Sequence, residues 1–232
     1  MFRFKQFCLS DENATMKTGT DAVLLGSWAG VTGCRRILDI GTGSGIIALM
    51  LAQRCEAMVD AIEIDEASAL QAENNVHQSP WPDRIKVHHT SFQAFAASTT
   101  ERYDAVISNP PFFSRALKAP DPVRCRARHD DELPAGELIR DAVKILLTGG
   151  KIHLVVPFRD LKKWETEASF QQLYCINVTH VIPKEGKPPF RALVTFSGKP
   201  GSLIKESLVI HNSDGSYTDD YRNLTKDFYL AF

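Results

Sequence analysis

The stretch "AVISNPPFFSRALK", residues 105–118, carries the side chains of this chain best suited to chemistry. Proline fixes its own φ and drives the preceding residue into an extended conformation, so the backbone at Asn109 and Pro110 is rigid before a ligand arrives. The two prolines also remove two backbone donors, which leaves the Asn109 side-chain oxygen and the Pro110 carbonyl as acceptors. This corner suits a planar exocyclic amine, which donates two protons, and Phe112 can stack on the ring that carries the amine.

The same corner has a purely structural interpretation. A proline-terminated strand followed by core phenylalanines would contain the same residues, and Phe113 could contact either a bound base or the core. In open α/β sheets, ligands bind beyond the carboxyl ends of the strands. Whether the corner binds a ligand or is purely structural therefore depends on the residues that follow the other strands.

A second group of residues follows an earlier strand in "ILDIGTGSGIIALML", residues 37–51. Gly41, Gly43 and Gly45 permit positive φ and let a ligand lie against the backbone. The dinucleotide fingerprint Gly-x-Gly-x-x-Gly is not met, because Ile46 stands in the last position. The stretch is similar to motif I of the S-adenosylmethionine-dependent methyltransferases, and a plain tight turn between strand and helix is the alternative.

Acidic and polar residues near these strand ends are candidates for further cofactor contacts. Glu63 ends a strand about twenty residues after the glycines, where a carboxylate can accept from both ribose hydroxyls; a solvated acid is the alternative, and Asp65 is a second candidate. Asp39 is expected to order the glycine loop or to approach the amino end of the cofactor. The stretch "VHHTSFQAF" contains no acid, so Ser91 and Phe92 are the candidates beside adenine.

Strand-like and helix-like segments alternate along most of the chain, which predicts an α/β fold with a mostly parallel sheet and helices on both faces. Near the end, the loop "PKEGKPPFR" joins two strands in an expected antiparallel hairpin. Strands are predicted at 36–40, 59–64, 85–88, 105–107, 151–156, 175–182 and 192–196, and helices at 46–54, 67–76, within 216–230, and at 137–147, where Gly149 and Gly150 end the helix.

The chain of 232 residues suits a single domain, with residues 1–30 as a flap over the cofactor, 36–200 as the catalytic core and 201–232 as a C-terminal extension. Hydrophobic residues make up 44%, enough for a sizeable core. The net charge of −1 argues against a protein that coats polyanions, although a local basic patch remains compatible with it.

Cysteine usage and the N-terminus indicate the compartment. The five cysteines are scattered, odd in number and without a CxxC pair, which predicts reduced thiols and neither a disulfide framework nor a zinc site. The start "MFRFKQFC" is too polar for a signal peptide, and no apolar run is long enough to cross a membrane. We therefore expect a cytoplasmic protein with no metal and no membrane contact.

The order "LDIGTGSG", "IEID", "ISNPPFF" resembles the class I amino-group methyltransferases, which carry an Asp/Asn/Ser-Pro-Pro-aromatic motif. The stretches "MKTGTDAVLLGSWA", "RARHDDELP" and "YTDDYRNLTKDFYL" resemble more closely the bacterial tRNA (adenine-N6)-methyltransferase family, over essentially the whole chain. Members of that family modify adenine 37 beside the anticodon of a valine tRNA. The resemblance implies a Rossmann-like class I fold, a seven-stranded sheet and S-adenosylmethionine as cofactor, and we expect the protein to be a monomer.

The resemblance also implies roles for single residues. Asn109, Pro110 and Phe112 would hold the target base, and Gly41, Gly43, Gly45 and Glu63 would hold the cofactor. In related enzymes the segment before motif I folds over the methionine moiety. The candidates for that cover are Lys17, Thr18 and Asp21.

A basic run directly follows the Asn-Pro-Pro-Phe corner and contains a single acid, Asp121. Its position favours contacts to RNA phosphates, which would weaken with salt; a solvated face is the alternative. Lys184, Lys187 and Arg191 of the second proline-rich loop could add to it, and His129 is expected to order the loop rather than to act in catalysis. The run consists of Arg115, Lys118, Arg124, Arg126 and Arg128.

Three other functions are compatible with parts of this pattern. A glutamine side chain presents the same planar amine as adenine, but protein glutamine methyltransferases usually carry an additional N-terminal helical domain. A guanine-N2 methyltransferase of ribosomal RNA would share the fold. An RNA-binding module that binds the cofactor without catalysis would not need Asn109 and Phe112.

Overall fold

The computed structural model describes residues 1–15, 17–110 and 133–232. Two short strands, β1 (Phe2–Arg3) and β2 (Cys8–Leu9), pair antiparallel near the N-terminus. Within the described residues, the main sheet has eight strands in the order β10-β8-β9-β7-β6-β3-β4-β5. They are β3 (Arg36–Ile40), β4 (Met58–Glu63), β5 (Ile85–His89), β6 (Tyr103–Ser108), β7 (Leu146–Pro157), β8 (Tyr174–Lys184), β9 (Arg191–Ser197) and β10 (Ile204–His211).

Helices cover both faces of this sheet, as the alternating sequence pattern predicts. Neighbouring residues of β3 point to opposite sides, so that Ile37 and Leu38 belong to two separate apolar cores, one on each face. Helices α1, α2, α3 and α7 contribute to the core of Ile37, and α4, α5 and α6 to that of Leu38. The helices are α1 (Thr20–Trp28), α2 (Ile46–Arg54), α3 (Glu66–His77), α4 (Phe92–Ser98), α5 (Ala135–Ile145), α6 (Leu161–Phe170) and α7 (Asp219–Thr225), with a 3-10 turn at Phe158–Asp160.

Strands β3 to β7 run parallel, which places their carboxyl ends on one edge of the sheet. Strand β9 runs antiparallel to both β7 and β8, in agreement with the predicted C-terminal hairpin. Strand β10 then returns parallel to β8. We call the shared edge, where β3 to β8 and β10 end and β9 begins, the carboxyl edge.

Strand β10 makes the sheet eight-stranded, where seven strands were expected. It lies in the part of the chain assigned to a C-terminal extension. Its first four residues are exposed, because it pairs on one side only and forms the end of the sheet. The alternation that marks a half-buried strand is therefore restricted to residues 208–211, too short a stretch to indicate a strand by itself.

The predicted end of the helix before β7 is wrong by two residues. Helix α5 ends at Ile145, and Leu146 already pairs with Tyr103 of β6. Gly149 and Gly150 thus lie inside the strand and do not end the helix. A Cβ at Gly150 would stand 3.0 Å from the Tyr103 carbonyl oxygen, so this glycine permits the close approach of two backbones at an irregularity of the ladder.

Helix α1 lies within residues 1–30, which were expected to form a flap. Its residues 22–27 are buried, and it packs against α2 so closely that a Cβ at Gly26 would meet Met50 Sδ at 2.7 Å. This helix is therefore part of the core, and the segment that can lie over a ligand is the part of the chain before it.

Candidate active site

The glycine loop joins β3 to α2 with three left-handed residues. The φ values are 69° at Gly41, 57° at Gly43 and 84° at Gly45, a region in which other residues are strained. A Cβ at Gly45 would meet Ala72 Cβ of α3 at 3.4 Å, whereas no described atom lies within 4 Å of a Cβ built at Gly41 or Gly43. Gly45 therefore serves packing, and the other two leave an open surface against which a ligand can lie.

Glu63 ties the end of β4 to the glycine loop. Its Oε2 accepts from the Gly43 N–H at 2.8 Å, and its Oε1 accepts from the N–H groups of Ile64 and Asp65 at 3.0 Å each. A carboxylate offers about four acceptor positions, so one remains for a ligand hydroxyl. The predicted loop and acid are thus in direct contact at the carboxyl edge.

Asp65, the second candidate acid, has structural partners. Its Oδ1 accepts from the Ser68 N–H at 2.8 Å, which caps the N-terminus of α3, and from the Thr15 hydroxyl at 2.9 Å. These bonds favour Glu63 over Asp65 as the acid that faces the glycine loop.

Asp39 lies fully buried beneath the loop. Its Oδ2 accepts from the Thr42 hydroxyl at 2.6 Å, and within the described residues its Oδ1 has no hydrogen-bond partner. Burial raises the pKa of the Asp39 carboxyl to about 7, because the charged form is desolvated. This geometry favours the ordering of the loop over contact with the amino end of a cofactor.

Ser91, the candidate for the adenine contact, begins helix α4. Its hydroxyl oxygen accepts from the Ala94 N–H at 3.2 Å as an N-cap, and Phe92 is buried in the core. Ser91 follows β5 at the carboxyl edge as expected, but its hydroxyl has a structural partner and Phe92 is not available to a ligand.

The segment before α1, expected to cover the methionine moiety, contacts the glycine loop. The Thr18 hydroxyl stands 3.5 Å from the Ser44 hydroxyl of the loop, and the Thr18 N–H donates to Asp11 Oδ2 at 2.8 Å. Lys17 Nζ donates to the carbonyl oxygens of Asp11 and Glu12, at 2.6 and 3.1 Å. Lys17 therefore bonds to other residues of the same segment. Of the three candidates for the cover, Thr18 lies nearest to the glycine loop.

Asn75 of α3 holds this segment to the loop and was missed by the sequence analysis. Its Nδ2 donates to the carbonyl oxygens of Ser10 and Ser44, at 2.7 and 2.8 Å, and its Oδ1 accepts from the Ser10 N–H at 3.0 Å. Asn75 is buried, although it lies in a helix rich in polar residues. An amide in such a helix has no sequence signal that separates it from a solvated residue.

Asp21 and Arg191, predicted to contact the cofactor and RNA respectively, form an ion pair. Arg191 Nε lies 2.8 Å from Asp21 Oδ2, and the guanidinium carbon lies 5.0 Å from the centre of the Phe190 ring. The pair joins the first turn of α1 to the start of β9 at the carboxyl edge. Lys187 is exposed in the turn before Phe190, where its N–H donates to the Lys184 carbonyl.

The Asn-Pro corner directly follows β6, beside the glycine loop. Ile40 and Ser108 are register partners of β3 and β6, and the Ser108 hydroxyl donates to the Ile40 carbonyl at 2.9 Å. Pro110 is buried, and Asn109 Oδ1 is buried without a hydrogen-bond partner in the described part of the chain. The other predicted residues here, Phe112, Phe113, His129 and the basic run Arg115, Lys118, Arg124, Arg126 and Arg128, lie outside the described residues.

Within residues 1–15, 17–110 and 133–232, no three His, Cys, Asp or Glu side chains form a group that could hold a metal ion. In the same ranges, every helix is too short or too polar to cross a membrane.

The family of the chain follows from comparisons with known proteins. The family model of the methyltransferase small domain matches residues 18–180. Proteins named tRNA1(Val) (adenine(37)-N6)-methyltransferase are similar over the whole length. The one from Bacteroides thetaiotaomicron is 42% identical over 99% of this chain and 97% of its own length. The one from Trichodesmium erythraeum is 42% identical over 100% of this chain and 98% of its own length.

Solved structures share the fold at low identity. A predicted O-methyltransferase from Agrobacterium tumefaciens superposes with a TM-score of 0.71 at 23% identity, over 90% of this chain and 96% of that one. A ribosomal protein L11 methylase from Lactobacillus delbrueckii subsp. bulgaricus gives a TM-score of 0.59 at 18% identity, over 83% and 84%.

Fold and glycine-loop site together define a class I methyltransferase. The chain belongs to the methyltransferase small domain family and, within it, to the family of the tRNA1(Val) (adenine(37)-N6)-methyltransferases.

Proposed function

We propose that this protein transfers a methyl group from S-adenosylmethionine to the N6 amine of adenine 37 in the anticodon loop of a valine tRNA. The observation that carries the proposal is the buried Oδ1 of Asn109, next to the glycine loop, which has no hydrogen-bond partner among the described residues. The names of full-length relatives at 42% identity support the choice of adenine in tRNA over a glutamine amide or a guanine.

The glycine loop fits the cofactor. Among the described residues, Gly41 and Gly43 have open space where side chains would otherwise stand, and Glu63 keeps an acceptor position after its three backbone bonds. These residues would hold the nucleoside portion, and Thr18 would lie over the loop. Bound S-adenosylmethionine supplies a methyl group on a positively charged sulfur, which an amine nitrogen can attack.

Asn109 and Pro110 would hold and orient the amine. A buried amide oxygen without a partner costs about 1–3 kcal/mol, and an amine donor in the site would remove that cost. The Pro110 carbonyl oxygen is a second acceptor. Two acceptors on one NH2 group fix the direction of its protons and hence of its lone pair.

The orientation of the amine matters because the lone pair of an adenine amine is delocalised into the ring. Acceptors that favour a more tetrahedral nitrogen turn this lone pair out of the ring plane, and positioning then accounts for most of the rate. The proton can leave after transfer, so the mechanism needs no strong base. Phe112 would stack on the adenine, as its place in the motif implies.

RNA would lie along the carboxyl edge. The basic run 115–128 follows the Asn-Pro corner in sequence, and Lys187 and Arg191 lie at the same edge. Bases in loops leave their stack at a lower cost than paired ones, which suits a target in the anticodon loop. We also propose that the enzyme works as a monomer in the cytoplasm, where tRNA is found; the free thiols of Cys8, Cys34, Cys55 and Cys175 are compatible with this compartment.

The test is to incubate the protein with radiolabelled S-adenosylmethionine and tRNA that lacks the modification, then to digest the tRNA and identify the labelled nucleoside. We expect N6-methyladenosine, and its position is mapped by comparing tRNA with adenine or guanine at position 37. Label in N2-methylguanosine, or only in protein, would contradict the proposal and would indicate the guanine or glutamine alternative.

A further inference from the structure

A cavity of about 370 Å³ opens at the carboxyl edge beside Asp21 and the start of α1. Asp21, Phe190, His211 and Tyr217 line it, together with Tyr221 of α7. Neither the glycine loop nor the Asn-Pro corner contributes to it. Its volume is in the range of small-ligand pockets.

Three of these rings form a column. The centres of His211 and Tyr217 lie 4.6 Å apart, and those of Tyr217 and Tyr221 lie 5.1 Å apart, with interplanar angles of 29° and 18°. Tyr221 is buried at one end of the column, Tyr217 is 39% exposed, and His211 is half-buried at the other end. The column can therefore be extended at His211, whose ring is held in place by a 3.0 Å hydrogen bond between Nδ1 and the Pro183 carbonyl.

The sheet places this column on the same edge as the Asn-Pro corner. His211 pairs in register with Lys184, and Arg191 pairs with Pro157 at the end of β7. Four strand spacings of roughly 4.8 Å separate β6 from β10, and the register places His211 five residues further along the strand direction than Asn109, so spacing and rise together put the two sites roughly 25 Å apart. An RNA loop of a few nucleotides can span such a distance.

Charged groups of both signs border the cavity. Lys184 and Lys187 lie in and beside the turn that borders it. The nearby carboxylates of Glu185 and Asp214 accept from the N–H groups of Ser213 and Ser216. Asp21 offers oxygen acceptors to an exocyclic amine beyond its bond to Arg191.

We propose that this cavity binds a second, unstacked base of the substrate RNA, which continues the ring column at His211 while the target base occupies the Asn-Pro corner. Proteins recognise single-stranded RNA by stacking splayed bases on aromatic and histidine rings. This inference rests on the proposed function for the identity of the RNA.

The first test is steady-state methylation of tRNA by His211→Ala, with His211→Phe as the variant that keeps a ring. Because base stacking is worth roughly 1–3 kcal/mol, we expect the KM for tRNA to rise about tenfold in His211→Ala, with kcat and the Kd of S-adenosylhomocysteine unchanged. His211→Phe should stay near the wild-type KM. His77→Ala, which removes an exposed histidine at the last turn of α3, is the matched control. A wild-type KM in His211→Ala would overturn the inference and leave the proposed function standing.

The second test does not depend on turnover or on a variant that folds. Wild-type protein is crosslinked to tRNA that carries 4-thiouridine at single positions of the anticodon loop, and the modified peptide is identified. We expect one position to crosslink within residues 211–221. Crosslinks that fall only elsewhere in the chain would overturn the inference. A protein that transfers no methyl group to tRNA would contradict the proposed function, while the crosslink still decides on the cavity.

Discussion

The Ser108 hydroxyl donates a 2.9 Å hydrogen bond to the carbonyl oxygen of Ile40, and both groups are buried. Ser108 is the last residue of β6 before Asn109, and Ile40 is the last residue of β3 before Gly41. One side chain therefore links the two strand ends that carry the candidate catalytic corner and the cofactor loop.

Replacement of Ser108 tests whether this link positions the corner. In Ser108→Ala we expect the free energy of unfolding to fall by about 1 kcal/mol, since one buried hydrogen bond is lost, and kcat to fall several-fold while cofactor affinity is kept. Ser98→Ala is the control, because that hydroxyl also donates to a backbone carbonyl but on the exposed end of α4. An unchanged kcat would show that strand pairing alone positions Asn109.

Asn109→Ala tests the acceptor role of the corner. Methyl transfer should fall at least about a hundredfold, because the amine loses its orienting acceptor, whereas the Kd of S-adenosylhomocysteine measured by calorimetry should change by no more than a few-fold. Asn109→Asp keeps an acceptor oxygen, and we expect it to retain more activity than the alanine variant. Normal methylation by Asn109→Ala would refute the proposed mechanism.

Glu63→Gln tests the link between acid and glycine loop. Glutamine brings an NH2 group towards N–H donors that now meet carboxylate oxygens, so the loop loses at least one charge-assisted hydrogen bond, worth about 1.5–3 kcal/mol. We expect the Kd of S-adenosylhomocysteine to rise at least about tenfold. Glu66→Gln, an exposed acid on the first turn of α3, should leave it unchanged; equal effects in both variants would exclude a specific role of Glu63.

Buried His153 predicts a loss of stability at mildly acidic pH. Burial lowers the pKa of its ring to about 3, while the unfolded value is near 6.5, so between these values the unfolded chain binds more protons. The stability that depends on the neutral ring is complete above pH 6.5 and falls as the pH drops. Denaturant unfolding at pH 7 and 5.5 should show wild type losing about 1 kcal/mol more than His153→Gln. If wild type and His153→Gln lose the same free energy of unfolding between these pH values, the lowered pKa of His153 is contradicted.

Asp39 also makes the free energy of unfolding depend on pH in this range, but in the opposite direction to His153. The pKa of Asp39 is about 7 in the folded protein, above its value in the unfolded chain. The stability that depends on the protonated carboxyl is therefore present below the unfolded pKa and is lost as the pH rises through 7. Wild type and His153→Gln both contain Asp39, and the difference between them isolates the histidine.

Charge removal in the basic run tests the RNA interface. Changing Arg124, Arg126 and Arg128 to Gln should weaken tRNA binding and make log Kd less dependent on log salt, by up to about 0.7–0.9 per lost phosphate contact. The control removes three exposed lysines near the opposite edge of the sheet: Lys151, Lys199 and Lys205. Filter binding at several salt concentrations measures both slopes, and identical slopes would assign the run to a solvated face.

Local sequence determined much of the fold and part of the site. The spacing of apolar residues reflects which side chains must face a core. Strands β3 to β9 and four of the seven helices in the described residues, α2, α3, α5 and α7, could therefore be predicted from the sequence. Left-handed turns need glycine, and the backbone around Asn109 is restricted by the prolines that follow it. For this reason the loop 41–45 and the Asn-Pro corner could be recognised before any tertiary contact was known.

Only the tertiary structure decided which distant residues meet. Asp21 and Arg191 are 170 positions apart, and Asn75 reaches Ser10 and Ser44 across two elements. The ring column at His211 forms because strand β10 pairs with β8 at the end of the sheet. The first half of β10 is exposed, so the sequence does not show the alternation that would have predicted this strand. Such contacts depend on strand order and register, which arise from burial summed over the whole chain, and no local pattern encodes them.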